Sequence, residues 1–356
     1  MAYTTVDNPE LFFQAKTYTG TNSSTAFTLD GSENMQPDLV WLKVRSAGSG
    51  QDHTLYDSVR GATKFIESNT SNAEATGSNY LTSFDSNGFT LGNDQSHVNA
   101  SGDTYVSWNW KAGTSFTNDA SSTGIGSIDS SGSFNNDAGF SIVTYTGNGS
   151  SGATVKHGMN QKPSMFIIKD RDNSNEGWMV YHTSLGATKY MRLNETGAVA
   201  TGSAYFNNTE PTSSVFTIGN NDVVNKSGDK YVTYCFAEKK GYSKFGSYTG
   251  NGNADGTFVY TGFKPAFIMC KRTDGADDWF LLDNKRDIDN PANHWLMADS
   301  SGAEQTSPIF FDFTAQGFKN RGTGGGNNAS GGTYIFMAFA ENPFVTGSSG
   351  IPATAR

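Results

Sequence analysis

Short apolar runs separated by turn-forming residues follow one another along the whole chain, and their spacing predicts β-strands. Between Tyr105 and Trp110, every second side chain is large and apolar (Val106, Trp108 and Trp110). A period of two places such side chains on one face of a strand. The same alternation recurs in segments 231–236 and 334–339, so three strands with one large apolar face are predicted.

A second kind of strand is apolar on both faces. Segments 39–42, 165–168 and 266–270 contain almost only apolar residues, and a proline stands at the start of each. A proline is harmless at the first residue of a strand, where its missing N–H is not needed. Runs of this kind are typical of central strands that are covered on both sides.

These two strand types recur three times with the same landmarks in the same order. Each copy contains Tyr-Thr-Gly, then a proline, and a lysine six residues after it. The landmarks are Tyr18, Pro37 and Lys43, then Tyr145, Pro163 and Lys169, then Tyr248, Pro265 and Lys271. From the proline to the first tyrosine of the alternating strand there are 68, 68 and 69 residues. Chance does not keep such landmarks in register, so the sequence predicts three internal repeats.

The repeats divide the chain into three predicted all-β domains. We expect antiparallel β-sandwiches, of jelly-roll or Greek-key topology, in residues 1–113, 137–239 and 240–341. Residues 114–136 are rich in Gly, Ser, Thr, Asn and Asp, a composition typical of a flexible linker. Residues 342–356 are expected to form an extended tail. Because repeats 2 and 3 adjoin without a spacer, they are expected to be rigidly coupled, with repeat 1 set apart.

Composition narrows the class of protein. Gly, Ser, Thr and Asn make up 150 of the 356 residues, yet 25 Phe, 15 Tyr and 6 Trp argue against disorder. The sequence contains no apolar run long enough for a membrane helix and no signal-peptide pattern, so no membrane insertion is expected. The net charge of −9, without a basic stripe, argues against a nucleic-acid partner.

Residues with catalytic or metal-binding potential are scattered. Five histidines show no metal-ligand spacing, so neither a metal nor another cofactor is predicted. Asp94 and His97 could be part of a catalytic triad, but no serine stands in a nucleophile elbow, which favours a loop. Cys235 and Cys270 both lie in strand-like segments and are predicted to be small buried hydrophobes. We therefore predict no catalytic residues and no enzymatic activity.

Three tryptophans are candidates for a ligand-binding site. Trp178 and Trp279 hold equivalent places at the start of a strand, where repeat 1 has His53, and Trp295 follows in repeat 3. Because aromatic faces stack on sugar rings, these three residues could form a saccharide site. Core packing is the alternative and is favoured for all three, since tryptophan is usually mostly buried.

Several long segments resemble a known family. They are GYSKFGSYTGNGNADGTFVYTGFKPAFIMCKRTD (241–274), NNASGGTYIFMAFAENPF (327–344), the ending GIPATAR, and in repeat 1 LYDSVRGATK, SNTSNAE and SFDSNGFTLGN. The chain is similar over its whole length to virion-associated proteins of tailed bacteriophages, common in marine phages, including tail-fibre-like and structural proteins. The resemblance implies a concanavalin-like, lectin-type β-sandwich fold and a structural or adhesive role, and it supplies no catalytic residues.

From these observations we expect a non-enzymatic structural protein on the exterior of a virion, at the tail or capsid surface. The leading hypothesis is a tail fibre or other receptor-binding appendage that contacts host-surface glycans multivalently. One alternative is a capsid decoration protein, or another virion protein that binds only virion partners; a second is a polysaccharide depolymerase spike. A homo-oligomer is expected, with a trimer as one option, and the tail 342–356 is a candidate arm onto a neighbouring subunit.

Overall fold

The computed structural model describes residues 4–46, 50–94 and 96–346. It is 44 % strand and 6 % helix, with large antiparallel sheets that form sandwich and near-barrel folds, so the all-β prediction is confirmed. Three groups of consecutive strands, called units 1, 2 and 3, build the molecule.

Unit 1 follows a single 3-10 turn at Pro9–Leu11. Its strands are β1 (Phe13–Thr19), β2 (Thr25–Thr28), β3 (Leu39–Val44), β4 (Thr54–Asp57), β5 (Lys64–Phe65), β6 (Ala75–Thr76), β7 (Leu81–Asp85), β8 (Gly88–Leu91) and β9 (Thr104–Trp110).

Unit 2 contains ten strands and three single-turn helices. These are β10 (Thr114–Asn118), α1 (Ala120–Thr123), β11 (Ser130–Asn135), β12 (Phe140–Thr146), β13 (Ala153–Lys156), β14 (Met165–Asp170), β15 (Met179–His182), β16 (Lys189–Arg192), β17 (Ala200–Thr201), α2 (Ser203–Phe206), β18 (Val215–Ile218), α3 (Asp222–Asn225) and β19 (Lys230–Phe236).

Unit 3 contains the three longest strands of the described chain. Its strands are β20 (Ser243–Thr249), β21 (Phe258–Tyr260), β22 (Phe263–Arg272), β23 (Trp279–Asp283), β24 (Ala292–Met297), β25 (Gln305–Thr314), β26 (Gly317–Asn320) and β27 (Thr333–Pro343), with one helical turn, α4 (Gly325–Asn328), before the last strand. The three longest are β22, β25 and β27.

The main sheet of each unit has the same strand order. It runs β1-β9-β3-β4 in unit 1, β12-β19-β14-β15 in unit 2 and β20-β27-β22-β23 in unit 3, with antiparallel pairing throughout. Unit 2 extends this sheet with β10-β11 on one side and β16-β17 on the other, whereas unit 3 extends it with β24-β25-β26-β21. The alternating strands (β9, β19, β27) and the continuously apolar strands (β3, β14, β22) therefore lie side by side at the centre of each sheet.

The three main sheets bury one face in a single shared core and the other face in a core of their own. Trp108, Tyr234 and Met337, at equivalent places on β9, β19 and β27, all lie in the shared core. Their strand neighbours Cys235 and Phe336 point the other way, into the separate cores of units 2 and 3. Both faces of the central strands are thus covered, which explains their continuous apolar runs.

Two sequence expectations about the organisation of the chain are wrong. Unit 1 is not set apart, because its Trp108 and Trp110 pack in the shared core with units 2 and 3. Residues 114–136 are not a flexible linker: β10 and β11 pair with each other and continue the sheet of unit 2. Phe116 and Phe134 pack against the core of unit 2, which holds the hairpin in place despite its linker-like composition.

The expected C-terminal tail begins inside a strand. Asn342 and Pro343 belong to β27 and pair with Lys264 and Phe263 of β22. Residues 347–356 lie outside the described residues.

The two cysteines, Cys235 and Cys270, are buried free thiols, as predicted, and burial raises the pKa of Cys270 to about 12.

One buried asparagine holds the same loop in each unit. Asn99, Asn225 and Asn328 are fully buried, and each side-chain amide donates to two or more backbone carbonyls. Beside each asparagine, two tyrosine rings stack with centroids 5.0, 5.0 and 4.9 Å apart (Tyr18–Tyr105, Tyr145–Tyr231 and Tyr248–Tyr334). These asparagines therefore belong to structured loops.

Three buried lysines donate hydrogen bonds from one unit to the next. We call the three contacts between units seam 1/2, seam 2/3 and seam 3/1. Lys169 of unit 2 donates to Ser71 O of unit 1 at 3.2 Å, and Lys271 of unit 3 donates to Thr196 O of unit 2 at 2.9 Å. Lys43 of unit 1 donates to Ser301 O of unit 3 at 2.9 Å. Burial lowers the pKa of each lysine to about 8. The lysine that marks each repeat in the sequence is thus a contact between units.

Candidate binding surface

Two of the three candidate tryptophans have no face available to a sugar. Trp178 is 0 % exposed and Trp279 is 1 % exposed, and both lie in the shared core. The Trp178 indole N–H donates to Glu67 O at 2.8 Å across seam 1/2, and that of Trp279 donates to Arg192 O at 2.9 Å across seam 2/3. The prediction of saccharide stacking is therefore wrong for these two residues, and core packing is their role.

The third candidate, Trp295, is only partly buried. Its ring stacks on Phe310 with centroids 6.0 Å apart and meets the edge of Phe280 at 5.3 Å. Both contacts belong to the core of unit 3, against which Trp295 packs. Trp295 therefore lies at the margin of that core, with at least one face covered by protein.

The large apolar side chains that are exposed all belong to unit 3. Among the described residues they are Phe258 at 46 % exposure, Tyr260 at 54 % and Ile288 at 76 %. Sequence reasoning missed them, although TFVYTG carries a signal: the buried Val259 is flanked by two aromatics. At the corresponding outward positions, unit 1 has Ala26 and Thr28 and unit 2 has Thr154 and Lys156.

Strand β21 places Phe258 and Tyr260 side by side on the outer face of unit 3. It is the last strand of its sheet, and Val259 between them points into the core. Phe258 pairs with Lys319 and Tyr260 pairs with Gly317. A Cβ at Gly317 would come within 2.0 Å of Val259 O, so this position requires glycine. We call Phe258 and Tyr260 the aromatic platform.

Ion pairs line one side of the aromatic platform. Lys319 pairs with Asp255, and its hydrogen bond holds the pKa of the Asp255 carboxyl below its usual value. In the next strand, Asp312 lies opposite Lys319 and pairs with Arg321 at 3.2 Å. These charges match one another, so the surroundings of the rings are polar but balanced. The surface offers ring faces together with hydrogen-bond donors and acceptors.

The loop that carries Ile288 is fixed to the same sheet. The Asn290 amide donates to Phe313 O, and its carbonyl oxygen accepts from Phe313 N, both at 2.8 Å. Asp287 accepts hydrogen bonds from the backbone and the ring of His294 at 2.8 and 2.6 Å. Ile288 is therefore presented by a structured loop.

The arrangement around His97 does not form a proton relay. Ser96 donates to Asp94 at 3.2 Å and lies 2.7 Å from Nδ1 of His97, the same nitrogen that the Tyr80 hydroxyl contacts at 2.8 Å. A catalytic triad places the histidine between the serine and the aspartate, bound through different nitrogens. Here Asp94 accepts from the backbone N–H groups of His97 and Val98 and caps a turn.

Two features are absent from the part of the chain that the structure describes. No cluster of three or more His, Cys, Asp or Glu side chains there is placed to hold a metal ion. No helix in that part of the chain is long and apolar enough to cross a membrane.

Comparison with known proteins gives one match. A family model described as a domain of unknown function (DUF7483) matches residues 8–343. Neither a curated protein nor a solved structure matches the chain.

Proposed function

We propose a function on the basis of the sequence and the structure. The chain belongs to the DUF7483 family, which is defined by a domain of unknown function, so the family supplies none. The chain acts as a non-enzymatic structural protein on the exterior of a bacteriophage virion, and its aromatic platform contacts host-surface glycans. The resemblance of its sequence segments supports the virion, and the exposed Phe258 and Tyr260 carry the glycan-binding part of the proposal.

The chemistry of the aromatic platform fits a carbohydrate. The C–H faces of a sugar ring pack on aromatic faces, while its hydroxyls need polar partners at the edge. Phe258 and Tyr260 provide two faces, and the ion pairs Lys319–Asp255 and Arg321–Asp312 provide the partners. The middle residue of this strand, Val259, is anchored in the core. The strand therefore holds both rings in position before a ligand binds, which lowers the entropic cost of binding.

One platform of this size is expected to bind weakly, so multivalency completes the proposal. Several copies of the chain on one particle, as a homo-oligomer and with other virion proteins, convert weak contacts into avidity.

A glycan array and a host-cell binding assay test the platform. The double variant Phe258→Ala and Tyr260→Ala should lose binding, because both ring faces are removed. The matched control is Thr154→Ala with Lys156→Ala on the corresponding strand of unit 2, which should bind like the unchanged protein. Equal binding by the platform variant and the control would remove the platform from the proposal. Incubation with host polysaccharide should release no oligosaccharide, whereas release would favour a depolymerase.

Ile288 favours a second candidate function, in which unit 3 binds a virion protein. An aliphatic side chain that is 76 % exposed on a structured loop fits an apolar pocket of a protein partner better than a sugar. The chain would then be a capsid decoration protein or another virion component that binds only virion partners. Under this candidate, Ile288→Asp prevents incorporation into particles, and electron microscopy finds dozens to hundreds of copies on the capsid. Normal incorporation of Ile288→Asp would argue against it.

A further inference from the structure

Units 1 and 2 contain one stretch that aligns without a gap. Protein side chains fill the space beside this stretch in unit 1, whereas unit 2 has a pocket there. Residues 58–80 of unit 1 correspond to 183–205 of unit 2, including GATK and ATGS in both. The strand register is also the same, with Lys64 opposite Thr76 and Lys189 opposite Thr201. Differences between the copies therefore reflect side chains on a common backbone.

In unit 1 the space beside this stretch is filled by protein. Phe65 is 8 % exposed and packs between Tyr56 and Tyr80, with centroids 6.1 and 5.1 Å away. The Asn72 amide donates to the Glu67 carboxylate at 2.9 Å, which ties the loop to a residue shortly after the end of β5.

In unit 2 the same space is open. Gly197 replaces Asn72, and a Cβ at this glycine would meet nothing within 4 Å. Arg192 replaces Glu67, so the hydrogen bond that closes unit 1 has no counterpart. The result is a pocket of about 120 Å³ lined by Tyr190, Met191, Arg192, Glu195, Gly197, Ala198 and Ala200. We call it the Tyr190 pocket.

The walls of the Tyr190 pocket have three complementary chemistries. Tyr190 contributes an aromatic ring that Tyr205 supports at a centroid distance of 4.1 Å. Gly197 and the two alanines line the pocket without long side chains. Arg192 and Glu195 are joined at 2.7 Å and remain 32 % and 47 % exposed. A guanidinium has five N–H donors, so its contacts with Glu195 and the Tyr205 hydroxyl leave others for a ligand.

We propose that the Tyr190 pocket binds one neutral sugar ring. The ring stacks on Tyr190, one hydroxyl accepts from Arg192, and a neighbouring hydroxyl donates to Glu195. An acidic sugar fits less well, because Glu195 neutralises the guanidinium and repels a carboxylate. This second site extends the proposed glycan binding to unit 2 but does not depend on the aromatic platform of unit 3.

Saturation-transfer NMR titrations of the full chain test the site with four probes. Three are neutral (methyl α-glucoside, methyl α-mannoside and methyl β-galactoside), and one is acidic (glucuronate). At least one neutral glycoside should bind the unchanged protein, and glucuronate should bind less well. Gly197→Asn restores the side chain that unit 1 has and should weaken this binding by about tenfold, as should Tyr190→Ala. Since Gly197 faces open space, its variant should unfold at the same temperature as the unchanged protein.

The platform variant Phe258→Ala with Tyr260→Ala is the matched control, and it should bind the glycoside unchanged. Loss of binding in that variant alone would overturn the Tyr190 pocket while supporting the platform. The proposal is also overturned if no neutral glycoside binds, if glucuronate binds better, or if Gly197→Asn and Tyr190→Ala both bind normally. Loss of host glycan binding in the platform variant, with normal glycoside binding, would support both sites.

Discussion

Seams 1/2 and 2/3 have the same backbone contact but opposite side-chain chemistry. Glu74 N donates to Arg171 O at 2.8 Å across seam 1/2, and Val199 N donates to Thr273 O at 2.9 Å across seam 2/3. Glu74 and Val199 hold equivalent positions in the aligned stretch of units 1 and 2.

Seam 1/2 is closed by a buried network of charges. Arg60 and Asp57 form an ion pair with both side chains 0 % exposed, and Arg60 also pairs with Glu74 at 3.1 Å. From unit 2, Arg171 pairs with Glu74 at 2.8 Å, and the Tyr234 hydroxyl donates to Asp57 at 2.8 Å.

Seam 2/3 replaces this network with apolar and neutral groups. Leu185 and Val199 stand in place of Arg60 and Glu74 and pack against the shared core. His182 stands in place of Asp57, and its Nε2 lies 3.1 Å from Phe336 O. Burial lowers the pKa of His182 to about 4, so the ring is neutral at ordinary pH.

The difference shows that the same backbone contact between units can be accompanied either by charged side chains or by apolar ones. Seam 3/1 again uses charges, with Arg286 between Asp283 and Glu304 and with Arg45 on Glu304. Buried ion pairs add little net stability, because their desolvation offsets their attraction, but an unpaired buried charge is costly. Docking the units in the wrong order would leave Glu74 facing Thr273 instead of Arg171. We therefore expect the charges to favour the observed order of the units over the reverse one.

The largest effect is expected from removing one partner of the seam 1/2 network. Asp57→Ala leaves the Arg60 guanidinium buried without its closest carboxylate, and this should lower the free energy of unfolding by about 3–5 kcal/mol. Chemical denaturation measures the change. The control is Asp255→Ala, which removes an exposed ion pair and should lower the free energy of unfolding far less, because water screens exposed charges. Similar losses in both variants would mean that burial does not distinguish the two pairs.

A smaller effect, of opposite sign, is expected from giving seam 1/2 the side chains of seam 2/3. The variant Asp57→His, Arg60→Leu, Glu74→Val, Arg171→Thr and Tyr234→Met replaces the whole network at once. Because no charge is left unpaired, stability should be unchanged or should rise by about 1–4 kcal/mol. Thermal and chemical unfolding test this, and a loss as large as that of Asp57→Ala would show that the two seams are not interchangeable.

The smallest effect concerns what the two seams share, the buried lysines. The pKa of Lys169 and of Lys271 is about 8, below the usual 10.5, so the unfolded chain binds more protons between these values. The contribution of each lysine to stability therefore increases as the pH rises from about 8 towards 10.5. Lys169→Met and Lys271→Met should each flatten the rise by a similar amount, as measured by unfolding between pH 7 and 10. A flattening by only one of them would show that the lysines of the two seams differ.

The strands could be predicted because their signals are local. The alternation from Tyr105 to Trp110 and the apolar run 39–42 each lie within one element. The hairpin β10–β11 could not be predicted in this way, because its anchors, Phe116 and Phe134, are two aromatics in a linker-like composition. Their contribution depends on a core built by other segments.

The candidate binding residues show in the same way that local sequence does not predict which side chains distant segments cover. Trp178 and Phe258 are both large aromatics in strand-like segments. The sequence singled out Trp178 as a candidate ligand contact, while favouring core packing for it, and did not single out Phe258. Trp178 is buried because it lies in the core shared by all three units, where Glu67 O, 111 residues earlier in the chain, accepts its N–H. Phe258 is exposed because β21 is the last strand of its sheet and nothing in the described chain covers it.

The sequence by itself determined the strands, their two kinds of face and their recurrence, since a period of two and a run of apolar residues are properties of neighbouring positions. Only the tertiary structure decided that the three sheets share one core, that the recurring lysines join different units, and that the exposed aromatics lie on unit 3. Burial is a property of contacts between distant segments, and equivalent positions such as Asn72 and Gly197 acquire different roles from what packs beside them.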